Sequence, residues 1–395
     1  MTASPSSGLQ FNDVISLEDD ASIFKFEMTH QQIPIYLFVR HFVLQAMVNK
    51  HFNLEDYSPK PKYRLKRLFL FFYYSIFRNL FFAPQKDIYI FSSEIVYKKN
   101  NSGKYDNSLY QNLFEAYPQK SCIITHSCFK EFFHPKSKKA YHRDLIYILA
   151  YFVGKFKRIN KADQKTINNF IKYLKKTLTI KLNSADYEYI RMILQQNIKT
   201  TKTQMFLYTL FFKLKSPKMI IIEDAHYLNG SIQMLLAAKG LGIKTAEYQH
   251  GYISKAHRAY NFSEIAKKHV GNYLPEYFLT FGKYWSDMVN TPSEKIVIGK
   301  EFNHINQIKK KYDIKRVLFI SSGAKSNDLV KIVLEFIAIS GKDEYSVFIR
   351  PHPTEKPLIK ERYGKLEKSK ISIDNGTLTE SLQSADFIVS IEPST

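Results

Sequence analysis

Short apolar runs that stop at polar or turn residues recur through the second half of this chain. Met219-Ile220-Ile221-Ile222 stops at Glu223-Asp224, and Ile243 to Tyr248 stops at Gln249-His250-Gly251. Tyr277 to Thr280 and Lys295 to Gly299 follow, then a polar, basic stretch at 301–315 that reads as a linker. Beyond it, Arg316 to Ile320 runs into Ser321-Ser322-Gly323, Val347-Phe348-Ile349 into Arg350-Pro351-His352-Pro353, and Phe387 to Ser390 lies close to Ser394-Thr395. Runs this short and continuous read as strands buried on both faces of a parallel sheet. The segments between them carry helical spacing at Ser231 to Lys239, Asp328 to Ser340 and Leu378 to Ser384, the first closed by Gly240 and Gly242. Strand and helix in alternation predict an α/β protein.

The first half is less regular. Residues 1–30 read as a polar, partly disordered arm with acids at Glu18, Asp19 and Asp20, and residues 31–85 as helical and aromatic. Asp87 to Phe91 and Cys122 to Thr125 read as strands. The lysine-rich stretch 140–215 reads as helices at 146–156, 167–178, 187–194 and 205–214. The organisation expected is a helical N-terminal region (1–85), a first Rossmann-like domain (86–300) with a helical insertion (140–215), and a second, short or incomplete Rossmann-like domain (316–395).

Composition narrows the partners. With 395 residues and a hydrophobic share of 45%, the chain can build two globular domains. Its formal charge of +22 favours anionic partners: nucleic acid, acidic lipid headgroups or phosphorylated substrates. No recognised nucleic-acid motif accompanies the charge, which makes nucleic acid the weaker reading. Cys122 and Cys128 make neither a disulfide framework nor a zinc site, and fit a reducing compartment. Met1 to Pro5 lacks a signal-peptide pattern, so a cytoplasmic location is expected. The aromatic segment Arg67 to Pro84 is interrupted by Arg78 and Asn79 and preceded by Lys60, Lys62, Arg64 and Lys66. It suits an amphipathic helix lying on the inner, anionic face of a membrane, and equally a buried core helix.

The strand ends carry the candidate chemistry, since ligands of open α/β sheets bind there. Glu223-Asp224 could supply a general base, with His226 as a neighbour to pair with, or the acids could simply cap a turn. Gly251 would permit a tight turn exposing His250, with Gln249 and His257 in support. Ser321-Ser322-Gly323 offers N–H groups and hydroxyls to a phosphate, or only turn chemistry. Arg350 and His352 around Pro351 suit an anionic leaving group. No sequence spacing suggests a metal site, and no cofactor is expected.

In this order, an acidic turn, Q-H-G, S-S-G, R-P-H-P and S-T, the chain resembles bacterial surface-polysaccharide glycosyltransferases of the GT-B architecture. The nearest in pattern are the sialyl-, polysialyl- and Kdo-transferases that use CMP-activated sugars. The resemblance covers residues 218–395 and implies two Rossmann-like domains facing a cleft. It implies a base at Glu223 or Asp224 with His250 as rival, although Ala225 stands where those families have glycine. It implies donor-phosphate contacts from His352, Pro353, Ser394 and Thr395. A nucleotide-sugar donor and a glycan or lipid-linked glycan acceptor are then the expected partners, without a metal ion. Transfer of a polyol phosphate from a CDP donor, or plain polyanion binding without catalysis, are the alternatives.

Overall fold

The computed structural model describes residues 11–51, 65–93, 97–99, 105–107, 109–126, 141–228, 230–299, 314–321, 326–340, 345–352, 358–364, 371–376 and 378–390, with the single residues 355 and 366. The chain divides into two compact units, Met1–Gly299 and Lys300–Thr395. The expected linker at 301–315 lies almost wholly outside the described residues, as do Ser322, Gly323, Pro353, Ser394 and Thr395.

The first unit is built on a parallel sheet of seven strands. In chain order they are β1 (Ile88–Ser93), β4 (Ser121–His126), β5 (Tyr141–His142), β6 (Met219–Ile222), β7 (Lys244–Tyr248), β8 (Tyr277–Thr280) and β9 (Glu294–Val297); β2 (Tyr97–Lys99) and β3 (Tyr105–Asn107) form a separate antiparallel hairpin. The spatial order is β5-β4-β1-β6-β7-β8-β9. The chain starts in the middle, winds outward to β5, then crosses back to β6 and winds the other way. The winding reverses between β1 and β6, which is where a doubly wound sheet opens its binding crevice. Burial explains the strands: residues 220–222 of β6 and 89–91 of β1 are apolar or aromatic and buried on both faces, and polar residues appear only where β1 ends, at Ser92 and Ser93.

The crossover from β5 to β6 runs through helices Asp144–Lys155, Lys161–Thr177 and Ser184–Lys215. The last is one helix of 32 residues where two were expected. Its polar middle turns Thr200, Thr201 and Gln204 inward; Gln233 donates to Thr201 Oγ1 at 3.1 Å, so hydrogen bonding continues the packing where apolar periodicity lapses. A full capping box, Asn183 with Asp186, fixes its start. The short edge strand β5 and the β2–β3 hairpin had no legible apolar signal.

The N-terminal acids depart most from expectation. Glu18 is 0% exposed, and its carboxylate accepts from Tyr36 Oη at 2.8 Å and from Arg40 Nε at 2.5 Å. Arg40 also donates to the carbonyls of Arg258 and Asn261, and lies 3.9 Å over the Phe262 ring. The described part of the arm, from Phe11, is thus helical turns folded into the first unit, sharing a core with residues 167–194 and 228–274.

The second unit holds four parallel strands, β10 (Lys315–Ile320), β11 (Tyr345–Arg350), β12 (Ser372–Ile373) and β13 (Phe387–Ser390), in the order β12-β11-β10-β13. It too reverses direction at its first strand, between β10 and β13. Val317, Phe319, Val347 and Ile349 pack against Leu329 and Val333 of the helix Ser326–Ser340.

Breaking one side of a buried ion pair strands the other charge, at a cost of about 3–5 kcal/mol. Arg40→Ala should lower the stability of the first unit by about that amount in urea denaturation, and Glu18→Gln by less because the hydrogen bonds partly survive.

Candidate functional site

Four strand ends meet at the reversal point of the first sheet. Ser92 and Ser93 end β1, His126 ends β4, Glu223-Asp224 follow β6, and Gln249-His250 follow β7. Glu223 sits at the β1/β6 junction itself. Its N–H donates to Phe91 O at 2.9 Å, and its Oε2 accepts from Ser92 Oγ at 2.6 Å and Ser93 N–H at 2.8 Å. Asn107 of β3 donates to Ser92 Oγ at 2.9 Å, so the hairpin braces the same group. Burial, then the charge of Asp224, push the Glu223 carboxyl up to about 7, against the opposing pull of Ser92, Ser93 and His250.

Asp224 adopts a left-handed backbone (φ 57°), which an aspartate tolerates better than most residues. Its side chain is 48% exposed, yet Oδ1 is buried and lies 3.1 Å from His250 Nδ1. Burial raises its pKa while the His250 charge works the other way. Gly251 is not needed for this geometry: its backbone avoids the left-handed region, and a Cβ there would meet open space. The loop is held instead by buried Gln249, which donates to Gly251 O at 2.8 Å and accepts from Phe281 N–H at 2.9 Å.

His226 pairs not with Glu223-Asp224 but with Glu247, a fully buried acid within β7 that sequence reading passed over. Glu247 Oε2 accepts from the His226 backbone N–H at 2.8 Å and bonds its Nδ1; Oε1 accepts from Tyr260 Oη at 2.6 Å. Tyr260 Oη also lies 3.0 Å from His250 Nδ1. The tyrosine has one hydrogen and gives it to Glu247, so toward His250 its oxygen accepts. Nδ1 of His250 therefore carries the hydrogen and gives it to Tyr260 Oη, with Asp224 Oδ1 3.1 Å from the same nitrogen. In the neutral imidazole this leaves the lone pair on Nε2, for which no partner exists among the described residues. The side chain is 27% exposed. The arrangement is a proton acceptor with its tautomer fixed from behind.

His257 is structural. Its Nε2 lies 3.3 Å from Tyr227 Oη, and burial pushes it down to about 4. Arg143 and His126 add a second buried pair at the same sheet edge, with Nη2 of Arg143 at 2.9 Å from His126 Nδ1. Burial, and then the Arg143 charge, lower His126 to about 3, so that it stays neutral. Ligand atoms of Asp224, Glu247 and His250 lie within 4.8 Å of one another, a grouping that spacing along the chain conceals. Glu247 Oε2 already accepts from the backbone and ring of His226, and Oε1 from Tyr260 Oη.

In the second unit, Ser321 ends β10 and Arg350 ends β11. Arg350 Nη1 donates to Asp374 Oδ2 at 2.6 Å, Ser381 Oγ at 2.7 Å and Gly376 O at 2.8 Å, which ties much of the guanidinium to its own scaffold. The turn at His352 is shaped by Glu355, 1% exposed, which accepts from His352 N–H, Arg362 Nη1 and Tyr363 Oη and bonds the Ser321 side chain. Burial pushes Glu355 up, but these hydrogen bonds outweigh it and hold it below the ordinary value. Burial lowers the His352 imidazole as well.

No protein-family model and no curated protein matches the sequence. Solved structures with a similar course of chain include UDP-GlcNAc 2-epimerase from Methanocaldococcus jannaschii, with 13% identity over 77% of this chain and 78% of that one at a TM-score of 0.38. MurG from Acinetobacter baumannii shows 10% identity over 77% and 72% at 0.38. The lipopolysaccharide outer core galactosyltransferase WaaB shows 10% over 76% and 73% at 0.37. Likeness at this level assigns no activity to this chain. The α/β class rests on its own two parallel sheets.

The raised Glu223 carboxyl has a measurable sign. The folded chain keeps that proton up to about pH 7, and the unfolded chain releases it near 4.5. The group's contribution to stability therefore falls as pH rises through that window and is level above it. Glu223→Gln should escape the fall. In urea denaturation at pH 4.5 and at about pH 8, wild type should lose on the order of 2–3 kcal/mol relative to the variant.

Proposed function

We propose that the protein is a metal-independent glycosyltransferase of the GT-B architecture. It would move a sugar from a nucleotide-activated donor, of the CMP-linked sialic acid or Kdo type, to a hydroxyl of a surface-polysaccharide or lipopolysaccharide acceptor. The observation that carries the reading is the Asp224–His250–Tyr260 array beside Glu223: a histidine with its Nε2 lone pair available, at the reversal point of a doubly wound sheet. Such a group takes the proton of an acceptor hydroxyl as its oxygen bonds to the anomeric carbon. The carbon–oxygen bond to the donor phosphate breaks, and the nucleotide leaves with the electron pair. Glu223, holding a proton near neutrality, would hydrogen-bond the acceptor sugar.

The second unit suits the nucleotide. Its own sheet reverses beside Ser321, where a crevice for a phosphate is expected. Ser321 and His352 are joined through Glu355 into one turn. The strand-to-helix turn reading adds Ser322 and Gly323 to the donor contacts, and the resemblance adds Pro353, Ser394 and Thr395, with Arg350 in support. The cytidine preference rests on the R-P-H-P and S-T pattern alone.

Calorimetry with CMP, CDP, UDP and GDP tests the reading. CMP should bind, and His352→Ala should weaken it at least about tenfold, the scale of one charge-assisted contact. CDP preferred over CMP would turn the assignment to polyol-phosphate transfer; UDP or GDP preferred would remove the sialic acid and Kdo class; no binding would overturn the enzyme reading. Once a transfer assay exists, His250→Ala should lower kcat by about 10²–10⁴ with nucleotide affinity unchanged.

A further inference from the structure

Among the described residues no helix is long and apolar enough to cross a membrane. Helix Leu65–Phe77 nevertheless presents five large apolar side chains outward. Phe69, Phe72, Tyr73, Ile76 and Phe77 recur at helical spacing and are 70, 41, 45, 50 and 62% exposed, whereas Ser75 on the other side is buried. An ordinary surface helix does the reverse, packing its apolar stripe on the core. Helix Asp144–Lys155 packs beside it and also exposes apolar side chains. Leu149, Phe152 and Val153, with Phe156 just beyond, are 39, 52, 42 and 85% exposed, while Ile146, Ala150 and Gly154 are buried. Gly154 lies so close to helix Ser184–Lys215 that a Cβ would stand 3.1 Å from Thr200 Cγ2. The inward side of this helix is therefore already committed to packing.

The charge on these helices is one-sided. Their one acid is Asp144, which is buried, and Lys155 and Arg158 are exposed at the end of the second helix. Aromatic side chains with basic neighbours and no exposed acid suit the interface of an anionic bilayer. A second copy of the chain suits it poorly, because two proteins of charge +22 repel each other.

We propose that helices Leu65–Phe77 and Asp144–Lys155 form a docking face for an anionic lipid surface, with the exposed aromatics inserted at the level of the headgroups. A tilted ring contact between Tyr74 and His142, 5.5 Å between centroids, and the Asn79–His142 bridge hold the first helix to the sheet edge. Binding should need both terms: the basic residues for attraction across a Debye length, the aromatics for burial.

The test uses the full chain and two kinds of vesicle, phosphatidylcholine alone and phosphatidylcholine mixed with phosphatidylglycerol. Wild type should co-sediment with the anionic vesicles, less so as salt rises, and weakly with the neutral ones. The triple variant Phe69→Ser, Phe72→Ser, Phe152→Ser should bind at least tenfold more weakly with its unfolding midpoint kept, while Met192→Ser, at an exposed apolar residue elsewhere, should bind as wild type. As a reporter that leaves the face apolar, Phe72→Trp should shift its emission to the blue on adding anionic vesicles. Equal binding by the triple variant, no binding by wild type, or no shift in Phe72→Trp would overturn the proposal. So would a dimer in sedimentation equilibrium that the triple variant breaks, since a second copy would then cover the face.

Discussion

Glu247 is a carboxylate with no exposure in the middle of a parallel strand, and much of the candidate site follows from its need for partners. Left unpaired, a buried charge of this kind would cost several kcal/mol. It is met by the backbone and ring of His226 and by the hydroxyl of Tyr260. That requirement uses up the tyrosine's hydrogen, and the tyrosine's oxygen then dictates which nitrogen of His250 is protonated. A group that touches no solvent thus decides the chemistry of one that does.

The sheet supplies the other half. In a parallel sheet every strand ends on the same edge, so residues far apart in sequence arrive together. Ser92 bonds Glu223 across 131 positions. Where the winding reverses, the crossovers leave in opposite directions, and Glu223 lies at that point. Its carboxyl stays high because burial and a neighbouring acid oppose ionisation more than Ser92 and Ser93 favour it. The two acids of one turn are thus set apart. Glu223 is anchored and holds a proton near neutrality, and Asp224 faces the imidazole.

Much of this was legible in the sequence because continuous apolar runs announce buried strands and their ends are easy to see. Glu223, Asp224 and His250 fell out of that pattern, and the structure brings them to one place. The residues that organise them did not. Glu247 lies inside a strand where an acid looks like an exposed position, Tyr260 lies in a loop, and Glu355 hides behind the more conspicuous prolines. Their roles depend on who is buried beside them, which no spacing rule encodes. Glu18 shows the same blindness: an acid in a polar arm reads as solvated until its arginine, at position 40, is seen to close over it. Arg350 Nη1 is held by Asp374 and Ser381, contacts that a guanidinium at a strand end does not announce in the sequence.

The central claim is that burial beside Asp224 keeps the Glu223 proton while the buried Glu247–Tyr260 pair sets the tautomer of His250. Carbon-13 and nitrogen-15 NMR titration of Glu223 and His250 in the full chain tests it most directly. The account predicts a Glu223 carboxyl carbon that titrates near 7. It also predicts that the neutral form of His250 carries its hydrogen on Nδ1, with that preference lost in Tyr260→Phe. A Glu223 that titrates near 4.5, or a His250 protonated on Nε2 in its neutral form, would contradict it.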